Sequence, residues 1–195
     1  MCCANTALVG LYDWNALMMD NDTNETVIAS LDVGYTDTVA RAACVVINNW
    51  RASRPAAEHV AKIHEVKDYQ PGEFYRRELP CIQAVLGKLN QPPTCIVVDG
   101  YVWLDANHRP GLGAHLYETL DREVPVIGVA KNPFKDTDHA TELRRGKSDR
   151  PLYITAVGVP IAQAVVNIGA MHGPHRLPTI LKRADQLSRQ DLPEE

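Results

Sequence analysis

Two short apolar runs that end alike constrain this chain more than any other feature of it. Val27-Ile-Ala-Ser-Leu-Asp32-Val-Gly34 and Thr94-Cys-Ile-Val-Val-Asp99-Gly100 both carry β-branched residues, reach an aspartate and meet a glycine within two positions. A run of this kind reads as a buried strand that delivers a carboxylate at its end. Laid side by side and parallel, the two strands bring Asp32 and Asp99 to one level at the carboxyl edge of a sheet, where open α/β folds hold their ligands. Two carboxylates there repel one another unless a cation lies between them, and hard oxygen ligands suit Mg²⁺ or Mn²⁺. Either aspartate by itself is also what an Asx turn at a strand end asks for. The metal reading therefore depends on the pair.

The remaining elements follow from periodicity and breakers. The strand ending near Val33 turns at Gly34-Tyr-Thr-Asp37 into a second apolar run, Ala40 to Ile47, and the short connection predicts an antiparallel hairpin. A third, edge strand is predicted between Ala61 and Tyr69, with Lys67 and Asp68 protecting the edge. Pro71-Gly72 breaks the chain, and Phe74 to Leu89 shows helical spacing with Leu79, Ile82, Val85, Leu86 and Leu89 on one face. Glu78 lies near the start of that helix. After the strand to Asp99 come a loop from Tyr101 to Gly113, a helix from Leu112 to Arg122, and a parallel-type strand, Pro125 to Lys131, that puts Lys131 at the same edge as the aspartates. Residues Asn132 to Arg150 form a charged loop whose Arg144, Arg145, Lys147 and Arg150 are either a solvated linker or a phosphate-contacting rim. A strand from Leu152 to Val157 and helices Ile161 to Met171 and Pro178 to Arg189 complete the chain. Three antiparallel strands followed by alternating helices and parallel strands give an α/β mixed sheet with helices on both faces, the ribonuclease H-like architecture.

A length of 195 residues fits one such domain, residues 27–195, preceded by an N-terminal extension, residues 1–26, whose Trp14, Leu17, Met18 and Met19 are expected to pack on it. The net charge of −4 means that nucleic acid can be held only by a local basic patch. Cys2, Cys3, Cys44, Cys81 and Cys95 are odd in number and lack a C-x-x-C pair, which argues against a disulfide framework or zinc cluster and for a reducing, cytoplasmic setting. Neither a secretory signal nor a membrane span is expected.

In order, Leu31-Asp-Val-Gly-Tyr35, Tyr69-Gln-Pro-Gly-Glu-Phe-Tyr-Arg-Arg-Glu78, Val97-Val-Asp-Gly100, Val126-Ile-Gly-Val-Ala-Lys131 and Arg176-Leu-Pro through Arg183-Ala-Asp185 resemble the motifs of the endonuclease V family. The resemblance runs from about residue 28 to residue 189. It implies a metal-dependent nuclease that nicks DNA or RNA near a deaminated purine, inosine or deoxyinosine. Asp32, Asp99 and Glu78 match the family's metal carboxylates, and Asp185 stands where the family has an aspartate or histidine. Lys131 matches the active-site lysine. Tyr69, followed by Pro71 and Gly72, matches the wedge that fills the gap beside the recognised base, and Gly100 and Tyr101 fall in the base-recognition loop. The implied cofactor is Mg²⁺ or Mn²⁺, the implied partner single-stranded or damaged nucleic acid, and a monomer is expected. Such chemistry needs an activated water and a stabilised leaving 3′ oxygen, which divalent ions on these carboxylates supply, with Lys131 steadying phosphate or hydroxide as a point charge.

The chain departs from the family where bases are read. The wedge's proline-tyrosine-isoleucine-proline becomes Asp68-Tyr69-Gln70-Pro71, a more polar wedge that stacks less strongly. The loop after Gly100 is one residue longer, with Tyr101, Trp103 and a shifted His108, and a glycine-histidine pair of the family is here Gly158-Val159. Tyr101 and Trp103 either stack on a base or pack as core, and His108 reads as a surface histidine. Two rivals remain: a catalytically weak or inactive binding protein on the same fold, and a sugar-kinase-like ATPase, for which a single domain is too short.

Overall fold

Short apolar runs bounded by turn residues build the sheet. In the computed structural model, which describes residues 26–35, 39–64, 75–134 and 139–190, these are β1 (Ile28–Tyr35), β2 (Ala40–Ile47), β3 (Ala57–Ile63), β4 (Cys95–Asp99), β5 (Val126–Ala130), β6 (Thr141–Leu143) and β7 (Leu152–Val157). They form one seven-stranded sheet in the order β3-β2-β1-β4-β5-β7-β6. The first three strands are antiparallel, as the hairpin spacing predicts, and β1, β4 and β5 are mutually parallel. Helices α1 (Tyr75–Leu86), α2 (Leu112–Thr119), α3 (Ile161–Ala170) and α4 (Thr179–Arg189) cover the two faces.

Alternation along each strand sorts side chains between two cores. Ala29, Leu31, Ile96, Val98 and Val126 join Cys81, Ile82 and Val85 of α1 on one face. Ile28, Val97, Ile127 and Val129 join Ile168 of α3 and Ile180, Ala184 and Leu187 of α4 on the other. Ile96, Ile127 and Ile154 are fully buried, each stabilising the fold by roughly 1.5–3 kcal/mol. The parity then dictates the site. Leu31 pairs with Val98, so Asp32 and Asp99 follow on adjacent strands, both on the face covered by α4. Lys131, two residues beyond Val129, falls on that face as well.

Four expectations are corrected. β3 lies at the edge but begins at Ala57, ahead of the predicted Ala61; Ala57 and His59 give little hydrophobic signal, and pairing with the fully buried β2 is what makes the strand. The later part of that expected strand, from residue 65, and the polar wedge with Tyr69, Pro71 and Gly72 lie outside the described residues, as does the N-terminal stretch to residue 25. β7 runs antiparallel to β5, against the expectation of parallel strands, because what leads into it is the short strand β6 and a turn instead of a crossover helix. β6 itself sits inside the stretch read as a loop, too short at three residues to show a period. In the same stretch Arg145 is 9% exposed, its guanidinium donating to four backbone carbonyls. It is a structural cation and not part of a phosphate rim, whereas Arg144, Lys147 and Arg150 are exposed.

Candidate metal centre at the carboxyl edge

α4 packs on β1 and β2 and comes very close to the end of β1. A Cβ on Gly34 would sit 2.4 Å from the Ser188 carbonyl oxygen, so only glycine lets the helix come this near. From that position α4 presents Asp185, and one oxygen from each of Asp32, Asp99 and Asp185 lies within 4.8 Å of the others. This is comparable with the ~4.2 Å across an octahedral Mg²⁺ shell. Three hard carboxylates from three separate elements fit a divalent ion.

The surrounding donors answer this charge. The Lys131 ammonium lies 2.6 Å from Asp99 Oδ2 and 3.0 Å from Asp185 Oδ1, bridging the two. Burial alone would lower its pKa, but the two bridges outweigh burial and raise it. Arg189 Nη2 donates to Asp185 at 2.9 Å, and the buried Ser188 hydroxyl donates to Asp32 Oδ2. Burial pushes Asp32 up to about 6; the Ser188 hydroxyl works against this, and the charges of Asp99 and Asp185 add to it.

Glu78 reaches the same place from the other face. It is 7% exposed on α1, and burial, then the Asp32 and Asp99 charges, push it up to about 8. With Asp32, Tyr35, Asp99, Leu112 and Arg189 it lines a cavity of about 590 Å³. The Arg77 guanidinium lies 4.0 Å over the Tyr35 ring at its side. The three carboxylates that close on one another are Asp32, Asp99 and Asp185; Glu78 stands apart from that group across the cavity.

Residues 14–165 match the family model described as Endonuclease V. The chain belongs to the endonuclease V family. Endonuclease V of Streptomyces coelicolor is 32% identical over 189 residues, spanning 85% of this chain and 78% of that protein. The crystal structure of endonuclease V from Streptomyces avermitilis superposes with a TM-score of 0.68 at 27% identity, covering 90% of this chain and 88% of that one. At 19% identity, the Ciona intestinalis endonuclease V, solved with a 23mer DNA containing an inosine followed by a ribo-adenosine, shares the fold with a TM-score of 0.69 over 85% of each chain.

The other positions that the sequence marks are placed as follows. Gly100, at φ +136°, makes the turn after Asp99 in a conformation that favours glycine. Tyr101 is 8% exposed, donating its hydroxyl to Asn132 O at 2.9 Å and accepting from Phe134 N at 3.3 Å. Trp103 packs against the core and donates Nε1–H to Ala156 O at 3.1 Å, so both aromatics are used in packing the loop. His108 is exposed, edge-on to Trp103. Ser188 and Arg189 escaped the sequence reading. Their spacing from Asp185, three and four residues on, puts them one turn along the same helix face and was the signal available.

Proposed function

We propose that this protein is a divalent-metal-dependent endonuclease that hydrolyses a phosphodiester bond in DNA or RNA near a deaminated purine, inosine or deoxyinosine. The observation that carries the reading is the meeting of Asp32, Asp99 and Asp185 beside Lys131 at one sheet edge. These three carboxylates would hold Mg²⁺ or Mn²⁺, with Glu78 able to join from across the cavity. Bound there, the ion would activate water and stabilise the leaving 3′ oxygen. Ser188 orients Asp32, and Arg189 and Lys131 orient Asp185. Lys131, held beside two carboxylates, supplies a local positive charge for phosphate on a chain whose net charge is −4. Burial and the Asp32 and Asp99 charges push Glu78 up to about 8, so it is the group that would release a proton as a cation enters the cavity.

The wedge and the loop after Gly100 differ from the family pattern, and packed Tyr101 and Trp103 support a base pocket of altered shape. Discrimination between inosine and ordinary purines is accordingly weaker than the resemblance alone implies. Among the described residues no helix is long and apolar enough to cross a membrane. We place the protein in the cytoplasm as a monomer acting on single-stranded or damaged nucleic acid.

A nicking assay with Mg²⁺ or Mn²⁺ on inosine-containing and plain single-stranded DNA and RNA tests the reading. Cutting by wild type and none by Asp99→Asn supports it. Tight binding of the same strands with no cutting under either metal overturns it in favour of a binding protein on the same fold.

A further inference from the structure

The ladder between β5 and β7 ends with Ala130 opposite Tyr153, so Lys131 is the first residue beyond β5. On the other strand the chain enters β7 through Pro151, which has no N–H and cannot donate to extend the pairing. Where the two strands part, the carbonyls of Lys131 and Pro151 need a donor from elsewhere. Arg176 supplies it. Its Nη2 donates to Lys131 O and, at 2.6 Å, to Pro151 O, and its Nε is buried, so the guanidinium faces the fold and not a bound strand.

Arg176 is itself held by a second arginine. α3 ends at Ala170, where the last helical carbonyls have no partner within the helix. The guanidinium of Arg145 donates to Met171 O, to His175 O at 3.0 Å, to Arg176 O at 3.3 Å and to Gly173 O at 3.4 Å. A cation at a helix C-terminus is also favoured by the helix dipole. The turn fixed in this way leads directly into α4, which begins at Thr179 and carries Asp185 to within 3.0 Å of Lys131 Nζ. Both partners of the Lys131–Asp185 bridge are therefore tied to one turn, Lys131 through its carbonyl and Asp185 through its helix.

We infer that Arg176, held by Arg145, is a positioning residue that fixes the end of β5 and so sets Lys131 between Asp99 and Asp185. The inference rests on the part in cleavage given above to Lys131. Losing a group that orients an active-site ligand typically costs ~10–100-fold, and Arg176→Ala is expected to lower kcat within that range with KM unchanged. In a Lys131→Ala background, under single-turnover conditions, the same substitution is expected to cost nothing further, because its effect passes through Lys131. A second measurement needs no substrate. Acetylation of Lys131 by acetic anhydride, read by mass spectrometry, is expected to rise several-fold in Arg176→Ala, while the exposed Lys62 and Lys182 stay unchanged. Unchanged Lys131 labelling overturns the inference, as does a raised KM at full kcat, which would mean that Arg176 holds the strand directly. Should Arg176→Ala fail to fold, Arg176→Lys, a cation without the planar fork, gives the same reading at smaller amplitude. A protein that cuts no substrate defeats the nuclease reading but leaves the labelling result standing on its own.

Discussion

On the α4 face of the sheet every carboxylate has a donor: Asp32 has Ser188, Asp99 has Lys131, and Asp185 has Lys131 and Arg189. On the α1 face Glu78 is buried, Arg77 is the charge in its favour among the described residues, and it is pushed up to about 8. Carboxylates thus sit in two electrostatic states near one sheet edge. The first face is a site whose carboxylates are only partly compensated, Asp32 still being pushed up to about 6, and in which an ammonium occupies ground that a divalent cation would share. The second is a reserve of negative charge, one that rising pH or arriving positive charge would release.

Removing a carboxylate from the donor-rich face should break the contrast most severely. Asp99→Asn is expected to lower cleavage by roughly 10³-fold or more, about 4 kcal/mol at 1.36 kcal/mol per decade. It should also raise the melting temperature in EDTA, because a charge repelling Asp32 and Glu78 is gone. A fall in both activity and metal-free stability would mean that Asp99 is structural.

The pH dependence of stability separates the faces next. Glu78 is raised from 4.5 to about 8 and Asp32 from 3.8 to about 6, so between these values the native state binds more protons than the unfolded chain. The stability that this uptake contributes is complete below pH 4 and is lost as pH rises through 6 and then 8. For Glu78 alone the change is on the order of 5 kcal/mol at most. Denaturant titrations in EDTA at pH 5.5 and 8.5 should show the decline in wild type and a flatter profile in Glu78→Gln; equal slopes would sink the claim that Glu78 is the reserve.

Adding Mg²⁺ or Mn²⁺ should sharpen the same comparison, raising the melting temperature more at pH 8 than at pH 6, since ligand carboxylates bind the ion deprotonated. Differential scanning fluorimetry with each metal measures it, and an identical shift at both pH values would contradict it. The smallest effect belongs to Ser188→Ala. Freed from its hydroxyl, Asp32 should bind Mn²⁺ about 10-fold more weakly by calorimetry, with little change in the fold.

Much of the site was legible because strand parity and strand ends are local properties. Asp32 and Asp99 could be paired from two apolar runs of β-branched residues, and Lys131 from a third, without knowing anything about the helices. The hairpin of β1 and β2 was readable for the same reason, a short turn between periodic runs. β3 was misplaced because Ala57 and His59 become strand residues only by pairing with β2. The direction of β7 was missed because a three-residue strand leaves no period and a charged loop looks the same whether or not it contains one. Arg145 was misread for a related reason. Its charge is plain in the sequence, but four carbonyl partners up to 31 residues away are not.

The amino-acid sequence by itself determined that acidic groups and a lysine end at one edge of a mixed sheet, since alternation and breakers act between neighbours in the chain. Only the tertiary structure decided which of those groups face one another: α4 could lie against the strand ends because Gly34 has no side chain, and its angle of approach chose Asp185 and Ser188 for Asp32 and left Glu78 across the cavity. The reason is physical. A carboxylate's charge is fixed by its type, while its burial, its donors and its repulsions depend on residues that the chain brings together from far away.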